Sequence, residues 1–105
     1  SQVDLAGSSI ASRVANSRTA TVAVTSFTFK EPVWVGDVVS FYATVLKVGT
    51  TSITVDVTVF AERLHKDNHR IVKVTEAQLV FVALNKDGRP QPVYRADNPA
   101  PEKTE

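Results

Sequence analysis

Between Ile53 and Val59 the chain alternates without a break: Ile53, Val55, Val57 and Val59 are apolar, and Thr54, Asp56 and Thr58 between them are polar. Side chains on a strand point to opposite faces in turn, so this period of two defines one buried face and one wetter face. A strand of that kind belongs to an antiparallel sheet covered on one side. Something else in the chain has to supply the cover. The only segment with a helical period is Ser1 to Asn16, where Val3, Ala6, Gly7, Ile10, Ala11 and Val14 fall on one side at about 100° per residue. The pattern therefore predicts an α+β domain in which one helix lies across an antiparallel sheet.

The remaining segments supply the other strands. Ala20 to Phe29 is rich in Thr, Val and Phe and is interrupted by Lys30-Glu31-Pro32, since proline cannot donate to a central ladder. Gly36-Asp37 marks a turn, and Asp37 to Val48 reads as a strand with Val39, Phe41, Ala43 and Val45 on one face. Gly49-Thr50-Thr51 has the length of a hairpin connection. Lys66-Asp67-Asn68-His69 reads as the next turn, Ile71 to Leu84 as the last strand, and Asn85-Lys86-Asp87-Gly88 as its end. Gly7 costs helix stability relative to alanine, which points to a close approach of helix and sheet. Arg89 to Glu105 carries all but one of the prolines and shows no period. The predicted organisation is one domain over residues 1–93 and a flexible tail over residues 94–105. A sheet of this size with one helix has a small core, so self-association is expected.

Composition removes several kinds of chemistry. The chain has no cysteine, hence no disulfide, no thiolate metal site and no cysteine nucleophile. His65 and His69 straddle a turn and lack a third ligand, so no metal site is expected. A net charge of +1 gives no reason to expect nucleic acid or a membrane as partner. No apolar stretch approaches the length of a membrane span, no signal core is present, and a cytoplasmic location is expected. The sequence contains no methionine and opens on Ser1-Gln2-Val3-Asp4.

Four local sequences, in order and in register, carry a family resemblance. Ser1-Gln-Val-Asp-Leu-Ala-Gly7 resembles the helix segment of cytosolic acyl-CoA hydrolases, in which an aspartate precedes a pair of small residues. Thr28-Phe-Lys-Glu-Pro-Val33 with Val35-Gly-Asp37 resembles their second strand and the turn after it. Lys47-Val-Gly-Thr-Thr-Ser52 resembles the loop beside the nucleotide end of coenzyme A, and Val74-Thr-Glu-Ala77 resembles the last long strand. The matches run from Ser1 to about Val93. They imply a hotdog fold, an antiparallel sheet wrapped around one central helix. They also imply hydrolysis of acyl-CoA thioesters in the cytoplasm, within fatty acid metabolism, by a homo-oligomer: a dimer with a continuous sheet, assembled further into a hexamer. Coenzyme A is then part of substrate and product, and no separate cofactor is required. In the family a first strand, and a loop with a polar residue and a Gly-Gly pair, precede this helix. Neither stands before Ser1, so an N-terminal segment is expected to be missing.

The resemblance also assigns roles. Asp4 takes the position of the catalytic carboxylate, as general base or nucleophile at a subunit interface. By spacing alone, Ser1 and Asp4 read as a capping pair. Thr21 takes the position of a hydroxyl that helps hold the attacking water; by residue type alone it is an ordinary strand threonine. Lys47, Gly49, Thr50, Thr51 and Ser52 are the implied coenzyme A contacts, through a cation and backbone N–H groups at the phosphates; otherwise they form a polar turn. Arg63, Lys66 and Arg70 read as a solvated face or an addition to that phosphate site. Glu76 reads as a satisfied polar position or a subunit contact, and Phe27, Phe29, Trp34 and Phe41 as core, interface or acyl-tunnel residues. A hotdog hydratase or dehydratase would rely on a helix histidine, which this helix lacks. A non-catalytic acyl-CoA sensor stays open, because fold alone does not separate binding from turnover.

Overall fold

A computed structural model describes residues 2–102 of the chain. Ser1, and with it the Ser1–Asp4 capping pair, lies outside the described residues, as do residues 103–105. Helix α1 (Gln2–Ala15) is followed by strands β1 (Thr19–Phe29), β2 (Val38–Val48), β3 (Ser52–His65) and β4 (Asn68–Ala83). The sheet runs β1-β4-β3-β2, antiparallel throughout, with β1 and β2 at its edges. This is the expected α+β arrangement of one helix on an antiparallel sheet.

The alternation that starts in β3 is realised as burial. Ile53, Val55, Val57 and Ala61 are fully buried on the helix side, and Phe81 and Ala83 of β4 join them. The helix meets this face through its smallest residues: Gly7, Ala11 and Ala15 are buried at a spacing of four, with Val3, Ala6, Ile10 and Val14 beside them. A Cβ at Gly7 would lie 2.9 Å from Cζ of Phe81 and 3.5 Å from a methyl of Val57. Gly7 thus permits the close approach expected of it.

Helix α1 ends because Asn16 turns left-handed, with φ at 49°. The N–H groups of Asn16 and Ser17 then donate back to the carbonyls of Arg13 and Ser12, each at 3.3 Å. This is the paired C-terminal arrangement that satisfies orphan helix carbonyls. Ser12 and Thr19 hydroxyls meet at 3.1 Å and fasten the start of β1 to the last turn.

Besides one-residue differences at the end of α1, the start of β1 and the end of β4, three boundaries differ from expectation. Strand β2 starts at Val38, one residue late, because the Asp37 carboxylate accepts the Trp34 N–H at 2.8 Å and holds the preceding turn. The hairpin between β3 and β4 is tighter than predicted, with His65 paired to Asn68 and only Lys66 and Asp67 in the turn. The ladder continues through polar residues there, because pairing follows hairpin closure and not apolar content. The third difference concerns the segment after Val93. Within the expected tail over residues 94–105, Arg95 and Asn98 are hydrogen-bonded to the domain. The Asn98 side chain donates to the carbonyls of Val14 (3.0 Å) and Val93 (2.6 Å). Arg95 reaches the Asn16 carbonyl at 3.2 Å. Val93 itself is fully buried and donates to Thr50 at 2.8 Å. The segment clasps the helix C-terminus to the β2–β3 turn.

Candidate active site

Asp4 sits in the first turn of α1, half-buried, at the N-terminal end of the line continued by Gly7, Ala11 and Ala15. That line rests on the sheet, so the carboxylate reaches the sheet edge where β1 runs. There the Thr21 hydroxyl donates to Oδ1 of Asp4 at 2.8 Å. Seventeen residues separate the two in sequence. Thr21 pairs with Phe81, the same residue that lies under Gly7, so one buried ring sets the height of both partners.

Beside the pair opens a cleft of about 240 Å³. Asp4 and Thr21 are its polar residues, and Val3, Val24, Phe27, Ala77 and Leu79 form the rest of the lining. A carboxylate oriented by a hydroxyl, at the mouth of an apolar cleft, can position and deprotonate a water or attack an acyl carbon itself. The first helical turn adds partial positive charge that favours negative charge nearby.

The loop residues are not gathered with this pair. Gly49 donates its N–H to Ser52 at 2.8 Å, and the carbonyls of Thr50 and Thr51 accept from Val93 and Ala83. The Gly49 N–H is therefore already used and does not offer itself to a phosphate. Lys47 pairs with Thr54 after a bulge at Leu46, which sends its exposed side chain to the face away from α1. Ser52 pairs with Val82, which in turn pairs with Ala20, so the loop lies level with the start of β1 and two strands across.

Other expectations resolve structurally. Arg63 is 5% exposed and does not form a solvated face or a phosphate contact. Its Nε and Nη2 donate to the Asp37 carboxylate at 3.0 and 2.7 Å, Nη2 also reaches the Pro32 carbonyl at 3.1 Å, and the guanidinium stacks 3.7 Å from the Trp34 ring centre. The Arg63 hydrogen bond holds the Asp37 carboxyl below its ordinary value, against the opposing effect of desolvation. Glu76 is satisfied by Lys73 at 2.6 Å, and that bond lowers its carboxyl in the same way. His65 meets Trp34 edge to face while His69 meets Glu62 at 2.5 Å, on opposite faces of the sheet. Phe27, Phe29 and Trp34 are exposed. The Asp37–Arg63 pair escapes a reading of the sequence because its partners are 26 residues apart and Arg63 belongs to no motif.

Comparison with known proteins agrees with this fold. Residues 1–67 match the thioesterase superfamily. Acyl-CoA thioester hydrolase YciA of Salmonella typhimurium is 40% identical over 94 residues, which is 89% of this chain and 71% of that protein. A hexameric hotdog-fold thioesterase of Campylobacter jejuni superposes with a TM-score of 0.82 at 38% identity, covering 87% of this chain and 69% of its own. A hexameric broad-specificity acyl-coenzyme A thioesterase superposes at 0.83 with 38% identity, covering 92% of this chain and 66% of its own. With a helix seated on a four-stranded antiparallel sheet and a carboxylate at the sheet edge, the chain belongs to the thioesterase superfamily, as a hotdog-fold enzyme of the acyl-CoA thioesterase type.

Proposed function

We propose that the protein hydrolyses acyl-CoA thioesters to a free carboxylic acid and coenzyme A, with Asp4 as general base or nucleophile. The observation that carries this is the 2.8 Å bond from Thr21 to Asp4 at the mouth of an apolar cleft. In the general-base route, Asp4 takes a proton from water, the water oxygen bonds to the thioester carbon, and the carbon–sulfur bond breaks. The thiolate leaves with the sulfur electron pair and receives the proton. Thr21 keeps the carboxylate aimed, and its oxygen retains acceptor capacity for the same water. Coenzyme A enters and leaves as part of substrate and product, so no further cofactor is needed.

The nucleotide end of coenzyme A is assigned to Lys47 and to Thr50, Thr51 and Ser52 of the turn, since the Gly49 N–H is already engaged by Ser52. Lys47 lies on the sheet face opposite Asp4, so the loop of one subunit is best suited to the carboxylate of another. An edge strand is also available for a continuous sheet: β1 has an unpaired side and is exposed from Thr21 onward. The two solved relatives described above are hexamers, which supports a dimer assembled further into a hexamer here. We place this activity in the cytoplasm and in fatty acid metabolism, to be checked by cell fractionation and by acyl-CoA profiling.

The test is hydrolysis of short-, medium- and long-chain acyl-CoAs by the full-length protein and its Asp4→Asn form. The substitution keeps the shape and removes the base, so kcat should fall by roughly 10²–10⁴-fold. Equal rates would remove Asp4 from the mechanism. Coenzyme A binding without turnover of any thioester, in the unsubstituted protein, would mark a sensor instead. Lys47→Ala should raise KM and leave kcat near its starting value; an unchanged KM would release the loop from its assignment.

A further inference from the structure

Strand β1 is irregular where it borders the cleft. Its register with β4 slips twice, between Thr21 and Ala23 and again between Val24 and Ser26. Each slip leaves one extra residue on β1, Val22 and Thr25. In a regular strand the residues facing Phe81, Leu79 and Ala77 would be Thr21, Ala23 and Thr25. The two bulges replace that set. Thr21 stands opposite Phe81, Val24 opposite Leu79 and Phe27 opposite Ala77, a spacing of three on one strand against two on the other. Bulges re-aim side chains in this way, and they concentrate at sheet edges and beside active sites. Here they remove a small and a polar residue from the cleft wall and put a branched and an aromatic one in their place.

From this we infer that Val24 and Phe27 determine acyl-chain specificity, meeting the chain at successive depths from Asp4. The inference rests on the thioesterase reading of the same site. Three observations support it. Val24 and Phe27 are 56% and 59% exposed within one subunit, so neither is used up by the core of its own chain. The cleft, at about 240 Å³, is below the roughly 300–1,000 Å³ of a site for a drug-sized ligand, so it holds one arm of the substrate and not all of it. Beyond Asp4 and Thr21 every lining residue is apolar. A pantetheine arm would leave its two amide groups there without side-chain partners, which is costly, whereas an alkyl chain has nothing to satisfy.

The register also gives a scale. Successive residues facing the cleft on β4 are separated by about 6–7 Å along the strand. With C–C bonds of about 1.5 Å, an extended alkyl chain advances roughly 1.3 Å per carbon, so each step spans about five carbons. Val24 then meets the first half of a medium chain, and Phe27 meets its end near the tenth carbon or so.

The experiment measures kcat/KM from acetyl-CoA to palmitoyl-CoA for the full-length protein and for Val24→Phe, Phe27→Ala and Phe27→Leu. In the parent, each methylene buried in the cleft should raise kcat/KM about fourfold until the chain reaches Phe27. Val24→Phe should move the break to chains near butyryl- or hexanoyl-CoA and lower decanoyl- relative to acetyl-CoA turnover more than tenfold. Phe27→Ala should move the break beyond decanoyl-CoA, with Phe27→Leu between it and the parent. The graded leucine form covers the case in which the alanine form fails to fold. A uniform change at all chain lengths, accompanied by altered coenzyme A affinity, would place the pantetheine arm in this cleft and overturn the inference while the thioesterase reading stands. Unaltered profiles in every folded variant would overturn it equally. Absence of turnover at any chain length in the parent would remove both.

Discussion

Replacing Gly7 by alanine adds one methyl group at the point where α1 comes nearest the sheet, and the structure sets its two effects against each other. Alanine is the better helix residue by about 1 kcal/mol. Its Cβ, however, would lie 2.9 Å from Cζ of Phe81, where carbon atoms sit comfortably at about 3.5–4.0 Å. The shortfall is therefore roughly 0.6–1.1 Å. Phe81 is fully buried, so its ring has little room to yield, and α1 must lift. Forcing an extra carbon into a packed core costs about 1–3 kcal/mol, which leaves a net loss of roughly 0–2 kcal/mol after the helix gain. For a domain of this size that is a fall in Tm of up to about 15 °C.

The larger effect should be catalytic. Asp4 lies one turn before Gly7 on the same face, so it rises with the helix, while Thr21 stays with the sheet. Their 2.8 Å bond would stretch to about 3.4 Å or more, beyond a good hydrogen bond. A displacement of about 1 Å at a reacting group can cost about 10²-fold in rate. Gly7→Ala is thus expected to lower kcat far more than a drop in Tm of this size would suggest, with KM little changed. Calorimetry and steady-state hydrolysis of acetyl-CoA measure the two effects separately. Phe81→Leu in the same background gives the methyl group space and should recover part of the rate. A Gly7→Ala protein with undiminished kcat, or with a raised Tm, would show that the helix does not depend on this close approach, and the reasoning would fail.

Thr21→Val keeps the shape and removes only the donor to Asp4, so kcat should fall about 10–100-fold, as for loss of one hydrogen bond to a charged group; Thr21→Ser should stay near the parent, and equal rates for valine would dismiss the hydroxyl. For Asp37 the sign follows from its lowered pKa: the Arg63 bond stabilises the fold fully above the ordinary value of 3.8 and is lost as the pH falls through the lower folded value. Asp37→Asn should therefore melt below the parent at neutral pH and approach it under strong acid, whereas a constant gap down to that range would rule out this linkage. Asn98→Ala removes the two donors that tie the Val14 and Val93 carbonyls, and denaturant unfolding should show a loss of about 1–3 kcal/mol; no change would mean the clasp is ornamental to stability.

How much of this was legible beforehand depended on whether the signal was local. The alternation from Ile53 to Val59 and the helical stripe from Val3 to Val14 are local patterns, and both elements formed where they pointed. Asp4 was visible through its surroundings in the motif, although its partnership with Thr21 needed the fold. The bulges were not visible. Val22 and Thr25 are ordinary strand residues, and a bulge exists only relative to the partner strand. The spacing of three from Thr21 to Val24 to Phe27 was in view, but nothing in a stretch of Thr, Val and Phe separates it from β-propensity. Arg63 shows the converse case. Its position among other cations reads as surface, and only the return of the chain at Pro32 to Asp37 turns it inward. The anchoring of Asn98 likewise depends on the Val14 carbonyl, more than eighty residues away.

The position of the cleft follows from the same packing that stabilises the domain. Gly7, Ala11 and Ala15 let α1 sink onto the sheet over Phe81 and Val57. A helix held that low, by so narrow a stripe, meets all four strands but does not cover β1 from Thr21 onward: Thr21, Val24 and Phe27 are exposed, although their β4 partners Phe81, Leu79 and Ala77 are buried. Broader residues on the stripe would lift the helix and separate Asp4 from Thr21. A regular β1 would keep the pair and line the gap with Ala23 and Thr25. The two features act on different terms of one reaction. On the proposed function, the helix stripe aims the carboxylate, which is read in kcat, and the bulges set what lies beside it, which is read in how kcat/KM depends on the acyl chain. Substitutions at Gly7 and at Phe27 should accordingly combine almost additively in log kcat/KM, since Gly7 lies over Phe81 and Val57 while Phe27 stands opposite Ala77. Strong coupling between them would mean that Phe27 also holds the helix in place, and the division of labour between stripe and bulge would have to be abandoned.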